Sequence, residues 1–165
     1  MELENKVLSR EIGQVFYGTG MTLATAESCT GGRIAESIIF TAGSSEYFKG
    51  GIIAYSDEVK SKILRVDADL IKEKNAVSEE VAIAMVQGVL QTLDADYAIS
   101  STGFAGPGGG TPDIPVGTIW LACGNKDKIV TFKMEEDNGR DINLGLATTK
   151  ALSMLVEFMS DTNGK

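Results

Sequence analysis

The sequence predicts an α/β fold with a mixed sheet, and three observations carry that prediction. A short apolar stretch, Met21 to Ala26, passes through small polar residues and two glycines into apolar positions at helical spacing, the strand–turn–helix order of α/β proteins. A second strand candidate, Tyr97 to Ser101, leads straight into the glycine-rich run Thr102 to Gly110. A third pair, Val116 to Cys123 and Lys128 to Met134, is joined across Gly124, Asn125, Lys126 and Asp127 with a hairpin signal, which makes the sheet mixed.

Taken in order, Leu3, Val7, Leu8, Ile12, Val15 and Phe16 recur at near-helical spacing until Gly18 and Gly20 stop the pattern ahead of the first strand. After Ser28 to Gly32, the residues Ile34, Ala35, Ile38 and Ile39 form one narrow apolar helical face that ends near Gly43. Gly43, Ser44 and Ser45 make a small polar loop, and Gly50 to Tyr55 is the second strand, with Ser56 placed as an N-cap. Val59 and Ile63 lie one turn apart on the helix that follows, which sets Lys60 one turn beyond the strand end, so Tyr55 and Lys60 can face one crevice. Asp67 and Ser78 each precede apolar residues at helical spacing and predict two further N-caps. The second of these opens the strongest helix of the chain, with Val77, Val81, Met85, Val89 and Leu93 every four residues and Glu79 and Glu80 in the favourable first turn. Leu144, Ala147, Ala151, Leu155 and Met159 mark a closing helix from about Arg140, with residues 160–165 expected to fray.

A length of 165 residues with 43% hydrophobic content fits one domain over residues 1–165 with a real core. The 15 basic residues against 23 acidic ones leave a formal net charge of -8, which opposes a phosphate backbone, and no Lys/Arg cluster offsets it. Direct nucleic-acid binding is therefore not expected. The amino terminus is charged, and no apolar run approaches the ~20 residues a bilayer span needs, so the expected location is the cytoplasm, with no membrane partner. Cys29 and Cys123 form neither a metal-ligand spacing nor a disulfide framework. Histidine is absent, which removes Ser-His-Asp and Cys-His catalysis and deprives zinc of its usual nitrogen ligands; neither a metal nor a cofactor is expected.

The chemistry gathers at Ala26, Glu27, Ser28, Cys29, Thr30, Gly31 and Gly32, where a reactive group stands at a helix N-terminus whose free N–H groups favour an anion or a developing oxyanion. Ser28 has candidate chemistry for a nucleophile, but from this stretch alone capping of the helix by Ser28 or Thr30 is the favoured reading. With no histidine present, a lysine amine whose pKa is lowered by burial or by a cationic neighbour can act as the base. Tyr55 can relay or donate a proton, but from the residues alone the favoured readings are that it packs at the sheet end and that Lys60 is a solvated charge. Cys29 reads as packing, because nothing nearby in sequence makes a thiolate. The glycine run from Thr102 lies at the carboxyl end of a strand, where backbone can approach a ligand closely, although a plain connector would have the same composition.

Six stretches carry a family resemblance: AESCTGG from Ala26, AGSS from Ala42, GIIAYSDEVK from Gly51, AVSE from Ala76, TGFAGP from Thr102 and PVGT from Pro115. In these the chain resembles the CinA carboxyl-terminal domain family, which includes nicotinamide mononucleotide deamidases. The resemblance implies a single three-layer α/β/α domain, standing without the metal-dependent pyrophosphatase-type domain that precedes it in full-length CinA proteins. It also implies hydrolysis of the carboxamide of nicotinamide mononucleotide to nicotinic acid mononucleotide and ammonia, a step of pyridine nucleotide recycling. The alternative is a non-catalytic nucleotide- or partner-binding module of the competence/damage-inducible type. Carried over by position, the catalytic residues fall on Ser28, Tyr55 and Lys60. The N–H groups of Thr30, Gly31 and Gly32 are the oxyanion-hole candidates, donors typically worth ~3 kcal/mol each in a transition state. Substrate binding falls to Ser44, Ser45, Thr102, Gly103, Gly106 and Arg140. One departure stands out: active members commonly carry a further arginine about four residues after Arg140, where this chain has Leu144. The expected partner is a small-molecule nucleotide, with a homodimer as the candidate assembly.

Overall fold

A computed structural model describes residues 2–163 and arranges them around one five-stranded sheet. Helix α1 (Glu2–Phe16) leads into β1 (Leu23–Glu27), followed by α2 (Arg33–Ile38), a 3-10 turn (Ser44–Glu46) and β2 (Phe48–Ile53). Three helices come next, α3 (Asp57–Lys62), α4 (Ala68–Lys74) and α5 (Glu79–Thr92), then β3 (Tyr97–Gly103), the hairpin β4 (Ile119–Gly124) and β5 (Ile129–Met134), and finally α6 (Arg140–Asn163). The strand order is β2-β1-β3-β4-β5. Both neighbours of β1 run parallel to it, whereas β3, β4 and β5 alternate in direction, so the sheet is mixed as the hairpin signal predicts.

Side-chain alternation along the strands separates two cores. Leu23, Ile99, Ile119, Leu121 and Cys123 face one way, against Ile12 and Phe16 of α1, Ile34 and Ile38 of α2, and Leu152 and Leu155 of α6. Ala24, Ala26, Ala98 and Ala122 face the other way, against Val81, Met85 and Val89 of α5 together with Leu64 and Ile71. Helices thus cover both faces of the sheet and make three layers. The small alanines on the second face let α5 lie close to the sheet, which explains why that helix is apolar over most of its buried side.

The predicted caps form. Ser56 Oγ accepts from the Val59 N–H (3.2 Å), Asp67 Oδ1 from the Asp69 N–H (2.9 Å) and Ser78 Oγ from the Val81 N–H (3.3 Å). Boundaries differ at several places: β1 starts at Leu23 rather than Met21 and ends at Glu27 rather than Ala26, and β3 runs on to Gly103 past Ser101. The second strand is Phe48–Ile53 rather than Gly50 to Tyr55, because parallel pairing with β1 ends at Glu27 opposite Ile53. The fourth begins at Ile119 rather than Val116, because the preceding residues curl around Phe104, whose N–H donates to the Thr118 carbonyl while its carbonyl accepts from the Gly117 N–H. Helix α6 continues through Asn163, where fraying is expected from residue 160, and residues 164 and 165 lie outside the described residues. Among the described residues no helix is long and apolar enough to cross a membrane.

Candidate active site

Strands β1, β2 and β3 all end at one edge of the sheet, and the residues that follow each strand meet there. Ser28 extends β1 by one residue, its N–H donating to the Ser101 carbonyl (2.9 Å). Ala54 extends β2, its N–H donating to the Glu27 carbonyl (2.8 Å). The chain then turns at the Ser56 cap into α3, which sends the Lys60 side chain back toward the strand ends. Lys60 is 2% exposed. Its Nζ donates to the Ser28 Oγ (2.9 Å) and to the Ala54 carbonyl (3.0 Å), with Asp57 Oδ1 at 4.0 Å.

Burial disfavours the ammonium and pushes the Lys60 pKa down from its ordinary value of 10.5, with Asp57 opposing the shift. The Lys60 ammonium is thus less favoured than that of a free lysine, and the side chain stands in direct contact with a serine hydroxyl. Burial also pushes the neighbouring Cys29 thiol up to about 12, so this sulfur stays protonated and serves as packing.

The loop between β1 and α2 is held by Glu27, a carboxylate only 1% exposed. Its Oε2 accepts from the Thr30 hydroxyl (2.6 Å), the Gly32 N–H (3.0 Å) and the Ile34 N–H (3.1 Å), and its Oε1 from the Ala35 N–H (2.8 Å). Glu27 therefore caps α2, and neither Ser28 nor Thr30 does; the Ser28 hydroxyl is left to Lys60. Gly32, at φ 105°, supplies the left-handed turn that brings these N–H groups back onto the carboxylate. This revises the oxyanion-hole expectation. The Gly32 N–H is taken by Glu27 and the Gly31 N–H by the Ser28 carbonyl (3.1 Å), whereas the Thr30 N–H has no protein acceptor among the described residues.

Opposite Ser28, the end of β3 forms the other wall. The Thr102 hydroxyl donates to the Ala76 carbonyl (2.8 Å), fixing the strand end to the segment before α5. At Gly103 any Cβ would fall 2.5 Å from Ile119 Cγ1, so only glycine lets β3 and β4 close together here. From α6, Arg140 reaches across, one guanidinium nitrogen donating to the Gly106 carbonyl (2.7 Å) and the other to the Tyr55 hydroxyl (3.4 Å). Buried Asn143 braces that helix end, its Nδ2 donating to the Ala105 carbonyl (3.1 Å) and to Asp137 (2.9 Å).

Together these walls enclose a cavity of about 220 Å³ that brings together Ser28, Tyr55, Lys60, Thr102, Gly103 and Arg140. Gly106 does not line it; its carbonyl holds Arg140, which does. Ser44 and Ser45 are not there. They precede β2, and because β2 runs parallel to β1 they lie at the opposite edge of the sheet, a strand length of ~20 Å away. Tyr55 is 62% exposed, and its hydroxyl bonds to Arg140 rather than to Ser28 or Lys60, so the direct Lys60–Ser28 contact leaves no gap for a tyrosine relay. Leu144 is buried in the core beside α1 and α2. Asp57, Ala76, Val77 and Phe104 also line the cavity and were not singled out as site residues from sequence, although all four fall inside the stretches YSDEVK, AVSE and TGFAGP that carried the resemblance.

The model for the CinA C-terminal domain matches residues 5–159. The chain belongs to the CinA C-terminal domain family. A nicotinamide-nucleotide amidohydrolase PncC of Escherichia coli strain K12 is 40% identical over 157 residues, covering 94% of this chain and 95% of that protein. A CinA-like protein of Cytophaga hutchinsonii is 38% identical over 148 residues, which is 90% of this chain but 35% of that protein. The chain spans about a third of the length of the longer CinA relatives of this kind. Among solved structures, the competence/damage inducible protein CihA from Agrobacterium tumefaciens superposes with a TM-score of 0.91 at 34% identity, covering 94% of this chain and 95% of that one. The three-layer fold with a mixed sheet is thus the fold of this CinA domain.

Proposed function

We propose that this CinA domain is an amidohydrolase that converts nicotinamide mononucleotide to nicotinic acid mononucleotide and ammonia, with Ser28 as nucleophile and Lys60 as its base. The observation that carries the reading is the 2.9 Å contact between Lys60 Nζ and Ser28 Oγ, buried and opening on a cavity. The similarity to the E. coli amidohydrolase over nearly the whole of both chains supplies the substrate. At about 220 Å³ the cavity is smaller than the ~300–1,000 Å³ of sites that enclose an entire ligand, so it takes the carboxamide end while the ribose phosphate lies outward, toward Arg140.

In the first half-reaction Lys60, as the neutral amine, takes the Ser28 proton while Oγ attacks the carboxamide carbon. The Thr30 N–H is the proposed donor to the oxyanion. Collapse of the tetrahedral intermediate breaks the C–N bond, and the Lys60 ammonium returns its proton to the departing nitrogen, which leaves as ammonia. Water then attacks the acyl-Ser28 carbon, Lys60 accepts the water's proton, and it passes that proton to Ser28 Oγ as the ester breaks and the acid product forms. Tyr55, paired with Arg140, is assigned to the substrate side rather than to proton transfer.

The second reading, a binding module without turnover, rests on the departure at Leu144, where the resemblance implies an arginine in active members; Leu144 itself is buried in the core and does not line the cavity. Ammonia release from nicotinamide mononucleotide by the purified protein, with Ser28→Ala as control, separates the two: an amidohydrolase releases ammonia in a Ser28-dependent manner, and a binding module releases none.

A further inference from the structure

Resting on the amidohydrolase reading, we propose that Asp57 is the residue that selects a carboxamide over a carboxylate in this site. It lines the same cavity as Ser28 and Lys60, and its Oδ1 stands 4.0 Å from the Lys60 Nζ.

The geometry fixes which part of the substrate Asp57 meets. The amide nitrogen must approach Lys60 to receive the proton on which it departs, and beyond Ser28 the carboxylate nearest to Lys60 is Asp57. An ionised carboxylate only accepts hydrogen bonds. It therefore pairs with the N–H2 of a carboxamide, but meets an acceptor and a like charge when that group has become a carboxylate. The rest of the cavity would otherwise retain the acid, since the Arg140 guanidinium lines it. Arg140 is partly committed to the Gly106 carbonyl and Tyr55, and Lys60 to Ser28 and the Ala54 carbonyl. Asp57 opposes the remaining attraction for an anionic product. It sits in the first turn of α3 with its side chain 65% exposed, so replacing it leaves the core and the Ser56 cap intact.

The test is calorimetric titration of the whole chain with nicotinamide mononucleotide and, separately, with nicotinic acid mononucleotide, for the wild type, Asp57→Asn and Asp57→Glu, each carrying Ser28→Ala so that the amide is not consumed. The two ligands differ only in the group Asp57 is proposed to read. The expected result for Asp57→Asn is a Kd for the acid lowered about tenfold, the effect of removing one like charge a few ångströms away, with the Kd for the amide unchanged or raised. Asp57→Glu retains the wild-type preference. Parallel changes for both ligands, or none in Asp57→Asn, overturn the proposal while leaving the amidohydrolase reading in place. A wild type that releases no ammonia from nicotinamide mononucleotide, yet loses its amide preference in Asp57→Asn, overturns the catalytic reading and supports the selection by Asp57. A wild type that binds neither nucleotide overturns both.

Discussion

Lys60 Nζ and Ser28 Oγ, 32 residues apart in the chain, meet at 2.9 Å in the interior, and no other side chain bonds to the Ser28 hydroxyl among the described residues. Replacing Ser28 by alanine removes the nucleophile without removing a helix cap, because Glu27 holds the N–H groups of α2. Turnover is expected to fall by ~10³-fold or more, with residual rate left to positioning and oxyanion donors. The thermal midpoint and nucleotide binding by calorimetry are expected to stay near wild type. A variant that keeps most of its ammonia release would end the serine mechanism.

The pH dependence follows from the sign of the Lys60 shift. Burial lowers its pKa, so the neutral amine is present at lower pH than for a free lysine, and kcat/KM is expected to rise with pH through that lowered value and then level off. Lys60→Arg places a guanidinium that stays charged throughout, and it should lose activity at every pH. An acid limb at the ordinary lysine value, or an active Lys60→Arg enzyme, would show that Lys60 is not the base.

Glu27 is a structural prediction with a larger stability effect. Its carboxylate takes three N–H groups and the Thr30 hydroxyl, and a hydrogen bond to a charged group is worth about 1.5–3 kcal/mol. Glu27→Ala is expected to cost roughly 3 kcal/mol or more, because the buried donors lose their acceptor together. Urea unfolding measures this. A midpoint shift worth less than ~1 kcal/mol, the typical value of a simple surface cap, would contradict the role.

Arg140→Ala should act on binding rather than on chemistry. Loss of one charge-assisted contact to the phosphate predicts a KM for nicotinamide mononucleotide raised roughly 10- to 100-fold, with kcat changed far less. Steady-state kinetics decides it, and a fall in kcat at constant KM would move Arg140 into the catalytic step.

Chelation should leave the rate unchanged. The sequence contains no histidine, and among the described residues no group of Cys, Asp and Glu is arranged to hold a metal. Activity abolished by a chelator and restored by a divalent ion would require another mechanism.

Much of the architecture was legible because it rests on local pattern. Val81, Met85 and Val89 recur every four residues behind Ser78, and that spacing alone fixes α5 and its cap. Gly124 and Asn125 between two apolar runs fix the hairpin, and with it the antiparallel half of the sheet. Ser28, Tyr55, Lys60 and Arg140 were recognisable as candidates from residue type, spacing and family pattern, and they converge on one cavity.

What the tertiary structure alone decided concerns direction and competition for donors, neither of which is a local property. Ser44 and Ser45 follow α2 closely in sequence, yet the parallel pairing of β1 and β2 sends them to the far edge of the sheet. Glu27 reads as one more charged residue, of a kind usually solvated, until the fold buries it and aims three N–H groups at it, withdrawing the Gly32 N–H from the oxyanion hole expected there. Lys60 likewise becomes buried rather than solvated only because α3 turns it back against the ends of β1 and β2. Sequence determines which groups the chain carries and which elements they ride on; packing determines which donor meets which acceptor, because each buried polar group must find a partner and the nearest partner in space is not the nearest in sequence.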